Sequence, residues 1–201
     1  MEIAVLDATE KDFPIVQNLV RFYVYDMSET MGWACPEDGL YGGCDDLPEY
    51  WWTGSTPEEL EALSQKLRIG IPYNKHFGRW PIGDQGHPFI VRVGNELAGF
   101  AMIKQLGPTH EADYDVGEFF VVRKFRGKGI GKTVAHRLFD RFSGIWEVRQ
   151  MMDHIPAQAF WRRVIASYSG DQFQESKQYI KEYRIEMVVQ RFTSLGRTQK
   201  S

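Results

Sequence analysis

The run Glu118-Phe-Phe-Val-Val-Arg-Lys-Phe-Arg-Gly-Lys-Gly-Ile-Gly-Lys-Thr133 constrains this chain more than any other segment. The apolar residues after Glu118 read as a strand, and three alternating glycines read as a turn. Ile130, Val134, Leu138 and Phe142 then share one stripe of a helix over 129–142. Gly127, Gly129 and Gly131 carry no Cβ, so a ligand can approach the backbone closely. The N–H groups of a first helical turn lack intrahelical partners and point at such a ligand, and the helix dipole favours an anion there. Arg126, Lys128 and Lys132 surround the turn with positive charge. The chemistry implied is pyrophosphate binding.

Two other phosphate loops fit less well. Gly131-Lys132-Thr133 supplies the second half of a G-x-x-x-x-G-K-[ST] loop, but position 126, where its first glycine belongs, is arginine. Gly127 and Gly129 begin a G-x-G-x-x-G fingerprint, but position 132 is lysine.

Around this loop the pattern predicts a mixed α/β sandwich of order β-α-(insertion)-β-β-β-α-β-α-β-β. The opening EIAVLDA is a strand, and Thr9 or Asp12 caps a helix whose Phe13, Val16, Leu19, Val20 and Tyr23 share a face. Strands are expected over 87–93 and 96–104, joined by Gly94-Asn95, then over 114–122 and 145–152. Pro156 starts a helix reaching Tyr168, and two more strands fill 173–192. Residues 32–86, rich in Gly, Pro, Trp and Tyr, form a long irregular insertion with one helical piece near 57–67. A single domain over 1–193 with a polar tail at 194–201 is expected.

Charge is placed unevenly. The chain of 201 residues carries a net charge of −3, yet no Lys or Arg lies between Phe22 and Gln65, a stretch holding ten acids: Asp26, Glu29, Glu37, Asp38, Asp45, Asp46, Glu49, Glu58, Glu59 and Glu61. The remainder is therefore net basic. One segment attracts amines while the rest can host a polyanion. Trp33, Tyr41, Tyr50, Trp51 and Trp52, with Tyr73 and Trp80 nearby, add aromatic faces suited to an organic cation. Packing of the insertion onto the sheet is the competing use of these rings. Two cysteines, Cys35 and Cys44, are too few for a disulfide framework or a thiolate metal site, so no metal is expected. No apolar run approaches the length of a membrane span and the N-terminus lacks a signal pattern, which makes a cytoplasmic protein the expectation. Nucleic acid is not expected as a partner, because the aromatic-rich region is acidic.

Arg126-Gly-Lys-Gly129-Ile-Gly131 resembles the R/Q-x-x-G-x-G/A loop of the GCN5-related N-acetyltransferases (GNAT). Glu118-Phe119-Phe120-Val121 is similar to the strand leading into that loop in diamine (polyamine) acetyltransferases, and Ala157-Gln-Ala-Phe160-Trp161 resembles the superfamily's N-x-x-A-x-x-F-Y motif. The chain as a whole looks like a bacterial group of predicted acetyltransferases of unassigned substrate. The resemblance implies a mostly antiparallel central sheet, splayed at a bulge in the strand before the loop, with acetyl-CoA in the opening. Phe120, Val121 and Val122 would pair with its pantetheine arm through their backbones, and the Val121 N–H would polarise the thioester carbonyl. The loop from Arg126 to Gly131, with Lys132, would hold the pyrophosphate, and His154, Ala157, Phe160 and Trp161 would complete the cofactor site. The first helix and the insertion would form the acceptor site, with Tyr25, Asp26, Glu29, Trp33 and Tyr41 as its residues.

An attacking amine must lose a proton, and Glu118, a carboxylate in an apolar strand where desolvation raises a pKa, suits that role. A structural carboxylate paired with an arginine or a backbone amide is the alternative. Trp161 stands where the resemblance calls for the tyrosine that protonates the departing thiolate. Tyr168, Tyr41 or Tyr25 would substitute, or the thiolate would leave unaided. The expected function is transfer of an acetyl group to a primary amine of a small cationic acceptor, by a monomer or homodimer without membrane association. A CoA-binding sensor that has lost catalysis and a nucleotide hydrolase using Gly131-Lys132-Thr133 are the alternatives.

Overall fold

The computed structural model describes residues 2–42, 47–52, 56, 58–59, 84–181 and 183–196. Among these residues seven strands form one sheet: β1 (Ile3–Asp7), β2 (Gln85–Val93), β3 (Glu96–Gln105), β4 (Tyr114–Val121), β5 (Gly144–Met151), β6 (Phe173–Ile180) and β7 (Ile185–Ser194). Their spatial order is β1-β2-β3-β4-β5-β7-β6. Every neighbouring pair is antiparallel except β4 and β5. Parallel neighbours need a crossover, and the helix α2 (Ile130–Arg141) supplies it. Two further helices among the described residues frame the sheet, α1 (Phe13–Met31) and α3 (Ile155–Ser169).

The expected element order holds, with ends moved by a few residues. β4 stops at Val121 because Val122 already opens a 3-10 turn over Arg123–Phe125. α3 starts at Ile155, ahead of Pro156, because the His154 ring caps it, with Nδ1 accepting from the Ala157 amide at 3.2 Å. Ser194, assigned to the tail, is the last residue of β7, and its hydroxyl donates to the Phe139 carbonyl at 2.6 Å. Glu58 and Glu59 are helical, while the rest of the helical piece expected near 57–67 lies outside the described residues, as do Cys44, Asp45, Asp46, Glu61, Tyr73 and Trp80.

Alternation along the strands sends two sets of side chains to opposite faces. Phe89, Val91, Ala101, Ile103, Val116, Trp146, Val148 and Phe192 pack against Val134, Leu138 and Phe139 of α2 and Trp161, Val164 and Ile165 of α3. Ile90, Phe100, Met102 and Phe120 pack against Phe13, Val16, Leu19 and Val20 of α1. The stripe on α1 is long enough to anchor it there, and Gly32 at φ 66° ends it by returning its N–H to the Ser28 carbonyl. Trp51 and Trp52 serve this layer: each ring centroid lies 5.0 Å from that of Phe13, and the Trp51 indole donates to the Thr9 carbonyl.

At the far edge, α3 is tied to β6 by Arg162, whose guanidinium donates to both oxygens of Glu175 at 2.7 and 2.8 Å. That hydrogen bond, with a second from Gln190, holds the Glu175 pKa below the ordinary 4.5. A carboxylate whose folded pKa is depressed adds stability above its unfolded pKa and loses it as pH falls through the folded value. Glu175→Gln should therefore flatten the acid limb of the melting-temperature profile below about pH 4.5 relative to the parent, while the profile above about pH 6 stays parallel; thermal denaturation across pH measures this.

Candidate active site

The sheet is open at one place. β4 and β5 pair only through Tyr114–Trp146, Asp115–Glu147 and Val116–Val148, yet β4 continues to Val121 and β5 to Met151. The cause lies on the other edge of β4. Met102 faces Glu118 and Ile103 faces Val116, which leaves Gly117 as an extra residue. Such a bulge bends its strand and ends pairing. A Cβ on Gly117 would lie 1.9 Å from the Tyr50 hydroxyl, so the bulge and the ring occupy one space that only glycine leaves free.

Backbone alternation decides what faces the opening. Val122 donates to Ala98 at 2.8 Å and its carbonyl accepts from Phe125, so Val122 is committed away from the gap. Phe120, opposite Phe100, shares that orientation. Val121 therefore turns its N–H and C=O toward β5. The opening-facing backbone is thus Val121 with Phe119, rather than the whole run Phe120–Val122. The Phe119 side chain faces α3, with its ring 5.1 Å from Trp161 and 6.0 Å from Phe160.

The glycine loop follows directly. Gly127 and Gly129 have φ of 71° and 76°, with open space where a Cβ would stand. Among the described residues the amides from Gly127 to Lys132 have no hydrogen-bond partner, and Thr133 is the first to bond back, to Gly129. Lys128 and Lys132 flank them, while Ile130 is buried in the core. Gly131 is needed for packing: a Cβ there would press on the Phe160 ring at 3.1 Å. An anion of diphosphate size finds at this turn a row of unspent donors at the head of α2, flanked by cations.

Arg126 turns the other way. Its Nε donates to the Val121 carbonyl at 2.6 Å, its Nη2 reaches Asp26 at 2.5 Å, and its guanidinium lies 5.2 Å from the Phe120 ring centre. Asp26 also accepts from Arg123 Nε at 2.8 Å. The acid that the sequence offered to an acceptor is thus occupied by two guanidiniums, which also compensate a carboxylate near a helix C-terminus. Asp26 raises the Arg123 pKa by hydrogen bonding and by its charge. Of the other acceptor-side residues, Glu29 is exposed and 4.0 Å from Arg123, Tyr25 and Tyr41 contact each other edge to face at 5.4 Å, and Trp33 is exposed.

Glu118 lies on the α1 face of β4, half-buried, in register with Met102. Beside it on that face runs a charged network that sequence reasoning missed. Arg149 pairs with Asp115 and Glu147, and Arg191 pairs with Glu147 and Glu111. Burial pulls the Arg149 pKa down, but the charge and hydrogen bond of Asp115 outweigh it and the pKa is raised. Glu147 and Arg149 alternate with Trp146 and Val148, so one charged face on a central strand was the available signal. Across the sheet, Trp161 is buried among Phe119, Phe139 and Phe160. The Tyr168 hydroxyl is spent on Asp140 and Ser194 at 2.9 and 2.8 Å.

A bulged strand, parted neighbours and an amide-lined helix start are the marks of one family of enzymes. The chain belongs to the acetyltransferase (GNAT) family, whose profile matches residues 49–165. It is 27% identical over 122 residues to the N-alpha-acetyltransferase RimI of Mycobacterium tuberculosis, covering 60% of this chain and 68% of that protein. In fold it is similar to an acetyltransferase of Thermus thermophilus (TM-score 0.56, 14% identity, 96% of this chain and 97% of that one). It is also similar to an aminoglycoside acetyltransferase in complex with coenzyme A (TM-score 0.51, 11% identity, 96% and 95%).

The bulge gives a direct test. Gly117→Ala should cost about 1–3 kcal/mol through overpacking, and Tyr50→Phe in the same chain should recover part of the loss by removing the obstructing oxygen; urea denaturation of the two variants and the parent measures both.

Proposed function

We propose that this chain transfers the acetyl group of acetyl-CoA to a primary amine of a small cationic acceptor. The row of unpaired amides from Gly127 to Lys132 beside the parted strands carries this reading, because it matches a diphosphate joined to an extended arm. The cosubstrate supplies an activated acetyl thioester. The loop amides with Lys128 and Lys132 bind the diphosphate, and Val121 with Phe119 lines the arm as a neighbouring strand would. His154, Ala157, Phe160 and Trp161 bound the arm from α3. The Val121 N–H donates to the thioester carbonyl oxygen and stabilises the charge that builds there.

On the α1 face, Glu118 accepts the ammonium proton of the acceptor through water. The freed amine nitrogen forms its bond to the acetyl carbon as the carbon–sulfur bond breaks, the electron pair leaves with the thiolate, and the second proton shed by the nitrogen passes to that thiolate or to solvent to leave a neutral amide. No tyrosine is assigned to protonate the thiolate. The preference for a cationic acceptor is supported by a surplus of one negative charge on or beside this face, where Glu111, Asp115, Glu118 and Glu147 stand with Arg149, Arg191 and the buried Lys104 in register with Asp115. Glu29, Tyr25, Tyr41 and Trp33 extend this preference toward the exposed stretch 32–40.

A second reading, the α-amine of a polypeptide N-terminus as acceptor, is favoured by the likeness to RimI. Release of free thiol from acetyl-CoA, measured with polyamines, aminoglycosides and a peptide, separates the two; CoA binding without turnover on any amine would leave a sensor. Glu118→Gln should lower kcat by roughly 10²–10⁴-fold on the active amine, abolish the acid limb of the kcat–pH profile, and leave the CoA Kd unchanged. Full kcat across pH in that variant would remove Glu118 as the base.

A further inference from the structure

Gln150 is buried, 4% exposed, and neither its side-chain oxygen nor its nitrogen has a partner among the described residues. A buried amide without partners is costly and marks a missing one. Its surroundings do not supply it. Gln158, buried nearby on α3, spends its nitrogen on the Met151 and Met152 carbonyls at 3.0 and 2.9 Å and its oxygen on Arg162. Gln190, on the same sheet face of β7 opposite Val148, gives its nitrogen to Glu175, and its oxygen is orphaned as well. The two glutamines therefore do not satisfy each other.

The position of Gln150 indicates the partner. It lies on β5 two residues beyond Val148, the last residue paired with β4, so it stands on the wall of the opening. It shares a face with Trp146 and Val148, the face that α3 covers. His154 caps that helix, Ala157 lies in its first turn and Trp161 one turn further on. We propose that the Gln150 side-chain amide hydrogen-bonds the pantetheine arm of coenzyme A. This rests on the cofactor reading above. The match is chemical: pantetheine carries two amide groups, each one donor and one acceptor, and the glutamine amide offers two donors and an acceptor in return. The arm thereby gains a side-chain contact on β5 facing the backbone contacts of β4.

Calorimetric titration of the parent, Gln150→Leu and Gln150→Met with two ligands tests this. One ligand is coenzyme A, and the other is 3′-phosphoadenosine 5′-diphosphate, which carries the diphosphate without the arm. Both variants should bind coenzyme A about tenfold more weakly, the loss of roughly one hydrogen bond from a buried amide. The nucleotide should bind as it does to the parent, and melting temperatures without ligand should not fall. Affinity for coenzyme A within about twofold of the parent, or equal weakening of both ligands, would overturn the assignment. A parent that binds neither ligand would overturn the cofactor reading itself, and the assignment with it.

Discussion

One extra residue in one strand organises this molecule. Gly117 has no partner across β3, and β4 bends there. A ladder that loses register on one edge cannot keep straight pairing on the other, so β4 and β5 separate after Val116–Val148. Separation leaves the inward-facing backbone of β4 without a strand neighbour, a cost that a sheet bears only where something else supplies hydrogen bonds, as the Arg126 guanidinium does for the Val121 carbonyl. The same strand then delivers the chain into the glycine loop, so the unpaired edge and the unpaired amides of α2 are consecutive parts of one surface.

The elements around this surface hold it from both sides. From the α1 side, Tyr50 fills the space beside Gly117, and Asp26 anchors Arg123 and Arg126, the second of which donates to the Val121 carbonyl. From the other side, the Phe160 ring rests on Gly131, and Trp161 closes against Phe119 and Phe139. The layer expected to receive an acceptor is thus mechanically joined to the layer expected to receive the cofactor. On the charged face of β4, β5 and β7 the arginines are held by acids: Asp115, Glu147 and Glu111 pair with the two guanidiniums, and the buried Lys104 stands in register with Asp115.

Much of this was legible in advance because local rules govern it. The glycine spacing, the stripe of α2, the Gly94-Asn95 turn and the strand patterns each depend on residues a few positions apart. The roles of Asp26, Tyr50 and Gln150 were not. Asp26 read as a free acid because its arginine partners, Arg123 and Arg126, lie in a distant segment of the sequence. Tyr50 read as one aromatic of an insertion, with nothing in its neighbours pointing to Gly117. The cap that His154 makes on α3 joins residues three positions apart, so it belongs with the local features.

By itself, the sequence determined the order of strands and helices, the glycine loop with its lysines, and the family those features resemble, since periodicity and turn chemistry act within one segment at a time. Only the tertiary structure decided which Val121 and Val122 groups face the opening, which acids are already paired, and which buried amide lacks a partner. Those outcomes depend on register and on contacts between distant segments, where a shift of one residue exchanges the two faces of a strand.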